Sequence, residues 1–207
     1  MDLPHDIIYA CCLLCSASYY DTVIEIKNFV TQKGNIFESI FLYNTDDKKG
    51  SYVIAENENY FFLAIRGTYN LSDWDENLKA WPSMTNGGTV HSGWYNRSKC
   101  IPLLLVKEKL LSKSKTIIIT GHSLGGAVAT LVTNQLLHSL GKMRNSDTSQ
   151  FLKCITFGAP LALTGNSADT ANQWSSNYIN FVFEGDIVPR IFTILQSELP
   201  GADDYKC

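Results

Sequence analysis

Long apolar runs are missing from this chain: no stretch reaches the roughly 18 apolar residues that a membrane-spanning helix requires. Runs of lysine or arginine are missing too. Lys plus Arg number 17 against 20 Asp plus Glu, a net charge of −3. That argues against nucleic acid as a partner, because phosphate binding needs a basic face. A spaced cysteine framework is also absent. Six cysteines are present, and Cys11, Cys12 and Cys15 crowd one N-terminal segment while Cys154 falls in an apolar run. With Cys100 and Cys207 they do not form the pattern of a small disulfide-stapled fold, and they read as packing thiols. No Cys/His pair at metal spacing accompanies Cys11 and Cys15, so no metal and no cofactor is implied. Asn44–Gly50 lacks the alternating ligands of a calcium loop and reads as a hairpin turn. The apolar segment Ile7–Ser18 follows Asp2 and Asp6 rather than a basic stretch, which argues against a signal peptide. The expected compartment is the cytoplasm. The sequons at Asn70 and Asn96 matter only if the chain is secreted.

What is present is enough apolar material for a core. Of 207 residues, 45% are hydrophobic and 18% charged, the balance of one sizeable globular domain. Met1–Tyr20 reads as a helix. Ile36–Tyr43 and Ser51–Ala55 read as strands around the Asp46–Gly50 turn. Tyr60–Arg66 is apolar throughout and reads as a strand buried on both faces. Gly93–Leu111 has a helical pattern with Pro102 as a start or a kink. Thr116–Thr120 is an Ile-rich strand, Leu124–Leu140 a helix, Gly141–Gln150 a polar loop, and Phe151–Phe157 and Tyr178–Glu184 two further strands. Strands alternating with helices predict a mostly parallel sheet covered on both faces, an α/β fold.

The segment Gly121-His122-Ser123-Leu124-Gly125 joins the Ile-rich strand directly to the small-residue helix. That is the setting of a strained strand-to-helix turn presenting a nucleophilic serine. Gly121 and Gly125 remove Cβ atoms where strand and helix come close. The Leu124 N–H lies in the first turn of the helix, where it has no intrahelical partner and is helped by the dipole. It is therefore placed to bind a developing oxyanion. Asp186 follows the strand Tyr178–Glu184 at its carboxyl end, where functional groups collect in an open α/β sheet.

Six motifs in order resemble the class 3 lipase family of α/β-hydrolases, the fungal-type lipases. They are Ala64-Ile65-Arg66-Gly67-Thr68, Asp73-Trp74 with Leu78, Val90-His91-Ser92-Gly93-Trp94, Gly121–Gly126, Thr156-Phe157-Gly158-Ala159-Pro160, and Gly185-Asp186-Ile187-Val188-Pro189-Arg190. The resemblance implies a single α/β-hydrolase domain over residues 1–207, lacking the family's last strand and C-terminal helix. It implies Ser123 as nucleophile, Asp186 as the acid of a triad, and Thr68 and Leu124 as oxyanion-hole donors, with the Thr68 hydroxyl as a third. It implies hydrolysis of acylglycerol-like esters through an acyl-enzyme, with a lipid or small ester as substrate and transient contact with a lipid surface.

Between Tyr69 and Pro82, Leu71, Trp74, Leu78 and Trp81 fall on one helical stripe. In the family this region borders or covers the active site, so the stripe is a candidate lid and acyl-pocket wall. An ordinary amphipathic helix packed on the core has the same pattern.

The family order is Ser, Asp, His, yet the last of the four histidines is His138. His5 lies in the N-terminal helix, and His91 reads as a loop-fixing residue beside Gly93. His122 is adjacent to Ser123, so its ring points away from the nucleophile. His138 is 15 residues along the following helix, about 22 Å away at 1.5 Å per residue. The 207-residue chain alone is therefore expected to hydrolyse esters poorly. Two other readings stand beside the lipase: a catalytically silent lipase-like binding or signalling protein, and an esterase on small or aryl esters. Phe157–Leu161 and Phe183–Arg190 resemble stretches of plant lipase-like immune regulators.

Overall fold

The computed structural model describes residues 4–44, 50–68, 82–85, 88–142, 146–163, 172–186 and 188. Among them, six strands form one sheet in the order β1-β2-β3-β6-β7-β8, made of Ser39–Tyr43, Tyr52–Glu56, Tyr60–Ile65, Thr116–His122, Leu152–Phe157 and Tyr178–Phe181. The first three are antiparallel neighbours, and β3, β6, β7 and β8 run parallel. A separate hairpin pairs β4 (Pro82–Thr85) with β5 (Gly88–His91). The helices are α1 (His5–Ala17), α2 (Val23–Lys33), α3 (Ser92–Ser98), α4 (Leu103–Ser112) and α5 (Leu124–Lys142).

Alternation along the central strands divides the core in two. Phe61, Leu63 and Ile65 of β3 and Ile117 and Ile119 of β6 join a cluster with Val106 and Leu110 of α4 and Val128, Val132 and Leu136 of α5. Phe62 and Ala64 of β3 and Ile118 of β6 face the other way, onto Ile7, Cys11 and Leu14 of α1 and Ile26 and Val30 of α2. Successive side chains of a strand point to opposite faces, so a strand covered on both sides must be apolar at every position. β3 meets that requirement: Phe61 through Ile65 are all buried.

Cys11 and Cys154 belong to the clusters on opposite faces of the sheet, and the five described cysteines are unpaired. Burial pushes the Cys15 thiol up to about 12, against the pull of its Thr120 contact, so these buried sulfurs pack rather than react.

Several elements differ from the sequence reading. α2 was not expected, although Thr22 and Glu25 close a capping box at its start: Thr22 Oγ1 accepts from the Glu25 N–H at 3.2 Å, and Glu25 Oε2 accepts from the Thr22 N–H at 3.0 Å. The helical pattern over 93–111 is interrupted, because Pro102 lacks an N–H and caps a new helix, α4, instead of continuing α3. His91 ends strand β5 rather than sitting in a loop, and Ser146–Phe151 winds into a 3₁₀ turn within the expected polar loop.

Candidate active site

β6 delivers Ser123 to the carboxyl edge of the sheet. Ser123 has φ +56°, a left-handed backbone that costs a residue with a Cβ about 1–2 kcal/mol. The conformation is held on both sides. The Ser123 N–H donates to the Phe157 carbonyl at 2.9 Å, and the Ser123 carbonyl accepts from the Gly126 and Ala127 N–H groups at 2.9 and 3.3 Å. The last two bonds start α5 immediately after the turn. A Cβ on Gly121 would run into the Gly125 carbonyl, and one on Gly125 into the Ile65 carbonyl. The elbow is thus closed against its own helix and against the end of β3.

Asp186 reaches the same edge from β8. Its N–H donates to the Phe183 carbonyl and its Oδ1 accepts from the Val188 N–H, both at 3.0 Å. Gly158, at φ +55°, leaves the space into which the carboxyl fits, since a Cβ there would stand 2.8 Å from Asp186 Oδ2. Ser123 is hydrogen-bonded to Phe157 and Asp186 rests on Gly158, so two consecutive residues at the end of β7 carry both groups.

β3 ends beside β6, with Ile65 opposite Gly121 in a parallel register. Thr68 therefore leaves the sheet next to the first turn of α5, which begins with buried Leu124. The Thr68 hydroxyl oxygen is buried and has no hydrogen-bond partner among the described residues. That is costly unless a ligand supplies a partner. Leu71, Trp74, Leu78 and Trp81 lie outside the described residues.

Among the described residues, no hydrogen bond joins His5, His122 or His138 to Ser123 or Asp186. His5 opens α1 and His138 lies far along α5. The His122 ring turns toward the connector after α1, where Nδ1 is 3.0 Å from the Tyr19 hydroxyl. Burial lowers its pKa, and the Asp186 carboxylate acts against that lowering. The Tyr19 contact escaped the sequence reading. The two residues are 103 positions apart, and no local pattern links them. Among the described residues no group of three or more His, Cys, Asp or Glu is arranged to hold a metal ion.

The sequence model for Lipase (class 3) matches residues 62–196. The chain belongs to the class 3 lipase family. Its fold is the α/β-hydrolase fold of fungal lipases. Rhizomucor miehei triacylglyceride lipase superposes with a TM-score of 0.68 at 23% identity, covering 90% of this chain and 73% of that one. Two Arabidopsis thaliana proteins are similar over shorter stretches. Protein EDS1 is 42% identical over 88 residues, 41% of this chain and 14% of that protein. The chloroplastic phospholipase A1 PLIP2 is 32% identical over 141 residues, 64% of this chain and 19% of that protein. This class 3 lipase-family chain thus matches less than a fifth of the length of either plant relative.

Proposed function

We propose that this class 3 lipase-family chain is a serine carboxylic-ester hydrolase that acts on acylglycerol-like lipid esters. The observation that carries the reading is the left-handed Ser123, locked between β6 and α5, with Asp186 anchored on the neighbouring strand end. In the proposed reaction Ser123 Oγ adds to the ester carbonyl. An imidazole held by Asp186 takes the serine proton and passes it to the departing alkoxide. Water then attacks the acyl-enzyme, releasing the carboxylic acid and restoring Ser123. The Leu124 and Thr68 N–H groups stabilise the oxyanion. The unpartnered Thr68 hydroxyl supports a third donor there.

Two observations support a lipid substrate. Relatives in the family include a phospholipase A1 and a triacylglyceride lipase by name. Beside Asp186, Phe181, Val182 and Phe183 form an exposed apolar strip, with Phe183 82% exposed; such a strip suits transient contact with a lipid surface. We assign Leu71, Trp74, Leu78 and Trp81 to the gate of the acyl pocket. Trp74→Ala should therefore cost more on long-chain than on short soluble esters, and equal proportional losses would remove the gate from the account.

A second reading, a lipase-like protein that binds without hydrolysing, is favoured by the His122 ring, which turns to the Tyr19 hydroxyl instead of bridging Ser123 and Asp186. Nitrophenyl ester turnover by the protein expressed from its full coding sequence separates the two. The hydrolase reading expects Ser123→Ala to lower kcat by about 10⁴–10⁶. Turnover no faster than that of Ser123→Ala would establish the silent reading.

A further inference from the structure

The connector from Ser18 to Thr22, between α1 and α2, is tied to the oxyanion side of the site at two points. Tyr19 Oη lies 3.0 Å from His122 Nδ1, and the rings meet edge to face. Asp21 Oδ1 accepts from Arg66 Nη1 at 3.0 Å, and Arg66 is itself buried. The Tyr19 phenol also lies directly against Gly67. A Cβ on Gly67 would collide with the Tyr19 hydroxyl and stand 2.8 Å from the His122 carbonyl oxygen. One side chain therefore touches the residue before Ser123 and the residue before Thr68.

This placement matters because the sheet does not itself fix the oxyanion hole. The ladder between β3 and β6 ends at Ile65 and Gly121. Thr68 and Leu124 both lie three residues beyond it, so their relative position depends on what packs between the two strand ends. On one side that is the backbone of Gly125 against Ile65–Gly67. On the other it is the phenol of Tyr19. Donors aimed at a developing charge act only if their spacing is held before the reaction begins, and a displacement of about 1 Å can cost 10²-fold in rate.

We propose that Tyr19 is a positioning residue of the oxyanion hole: hydrogen-bonded to His122 and wedged against Gly67, its phenol sets the separation of the Thr68 and Leu124 N–H groups. The inference rests on the acyl-enzyme reading of Ser123. Burial, with Cys15 adding to it, pushes the Tyr19 hydroxyl up to about 12 against the pull of Arg66 and Arg97. The phenol thus stays protonated at neutral pH. Burial likewise keeps the His122 ring neutral at pH 7, with a nitrogen free to accept the phenolic proton.

The test is the rate of Ser123 labelling by a fluorophosphonate, whose addition places negative oxygen in the same hole. It uses the protein expressed from its full coding sequence. Tyr19→Phe keeps the ring but loses the hydrogen bond; it is expected to lower kinact about tenfold with KI unchanged. Gly67→Ala, which displaces an intact phenol, should produce the same split. Tyr9→Phe is the control, because the Tyr9 hydroxyl donates to the Lys33 carbonyl between α1 and α2, away from the site. It should leave kinact unchanged. If Tyr19→Phe and Gly67→Ala label at the wild-type rate while Ser123→Ala does not label, the positioning role is wrong and the nucleophile stands. Labelling that survives Ser123→Ala would overturn the nucleophile and the positioning role with it.

Discussion

A serine at φ +56° holds its backbone in a region that glycine occupies without penalty. Ser123→Gly should therefore relieve strain and raise thermal stability by the equivalent of about 0.5–1 kcal/mol while removing all Ser123-dependent turnover. A calorimetric scan showing a lower Tm would mean that the turn is not strained. His122 offers a second reading at this scale. Its pKa is lowered first by burial, and the Asp186 charge opposes the shift, so Asp186→Asn should lower it further. An NMR titration of the imidazole that moves up instead would separate the two residues. Between the lowered folded value and the ordinary 6.5 the unfolded chain binds more protons. The His122 contribution to stability is thus complete above 6.5 and declines as pH falls through that window. The placement of Ser123 and Asp186 beyond the carboxyl ends of β6 and β8 was legible in the sequence because each follows an apolar strand. Tyr19 was not, because its contacts with His122 and Gly67 form only once the connector after α1 has packed against the ends of β3 and β6.

Among the elements, β3, β6 and β7 were readable within a few residues, since a strand buried on both faces leaves an unbroken apolar run; the half-exposed β8 ends at Phe181, three residues before the expected Glu184. α2 was missed although its capping box was in plain sequence. Its apolar positions are few, with only Ile26 and Val30 buried, and its helicity depends on the cap and on docking beside α1. Thr22→Ala should accordingly destabilise the fold by about 1 kcal/mol, measurable by urea denaturation; an unchanged midpoint would deny the cap its role. The β4–β5 hairpin was also missed, because Pro82–His91 offers little alternation of apolar and polar residues. An electrostatic link adds to the apolar contacts between α4, β2 and the start of β6. Glu56 Oε1 and Oε2 accept from Lys109 at 3.0 Å and from Lys115 at 2.9 Å. Burial alone would raise the Glu56 pKa, but the hydrogen bonds from Lys115 and Lys109 hold it below 4.5. Its stabilisation is full above 4.5 and disappears as pH falls through the lowered folded value. Glu56→Gln should cost about 1–2 kcal/mol at pH 7 and less in acid. Equal costs at pH 7 and pH 3 would show that the charge contributes nothing.

At the scale of the whole molecule, β3, β6, β7 and β8 run parallel and so bring their carboxyl ends to one edge. Thr68, Ser123 and Asp186 each follow a strand that ends there, although the first and the last are 118 positions apart. That convergence followed from strand order, which alternating strands and helices made legible. The division of the core into two clusters followed from the same alternation. What the pattern of residues left unread is how the two outer strands join: β1 pairs antiparallel with β2, and β2 with β3, an order which turn residues suggest but do not specify. In the proposed function this shared edge makes Ser123 the nucleophile. It is tested most directly by fluorophosphonate labelling of the folded protein, followed by peptide mass analysis. A single adduct is expected on the peptide containing Ser123, lost in Ser123→Ala and lost when the wild type is unfolded before labelling. An adduct on another residue, or equal labelling of the folded wild type and Ser123→Ala, would contradict it.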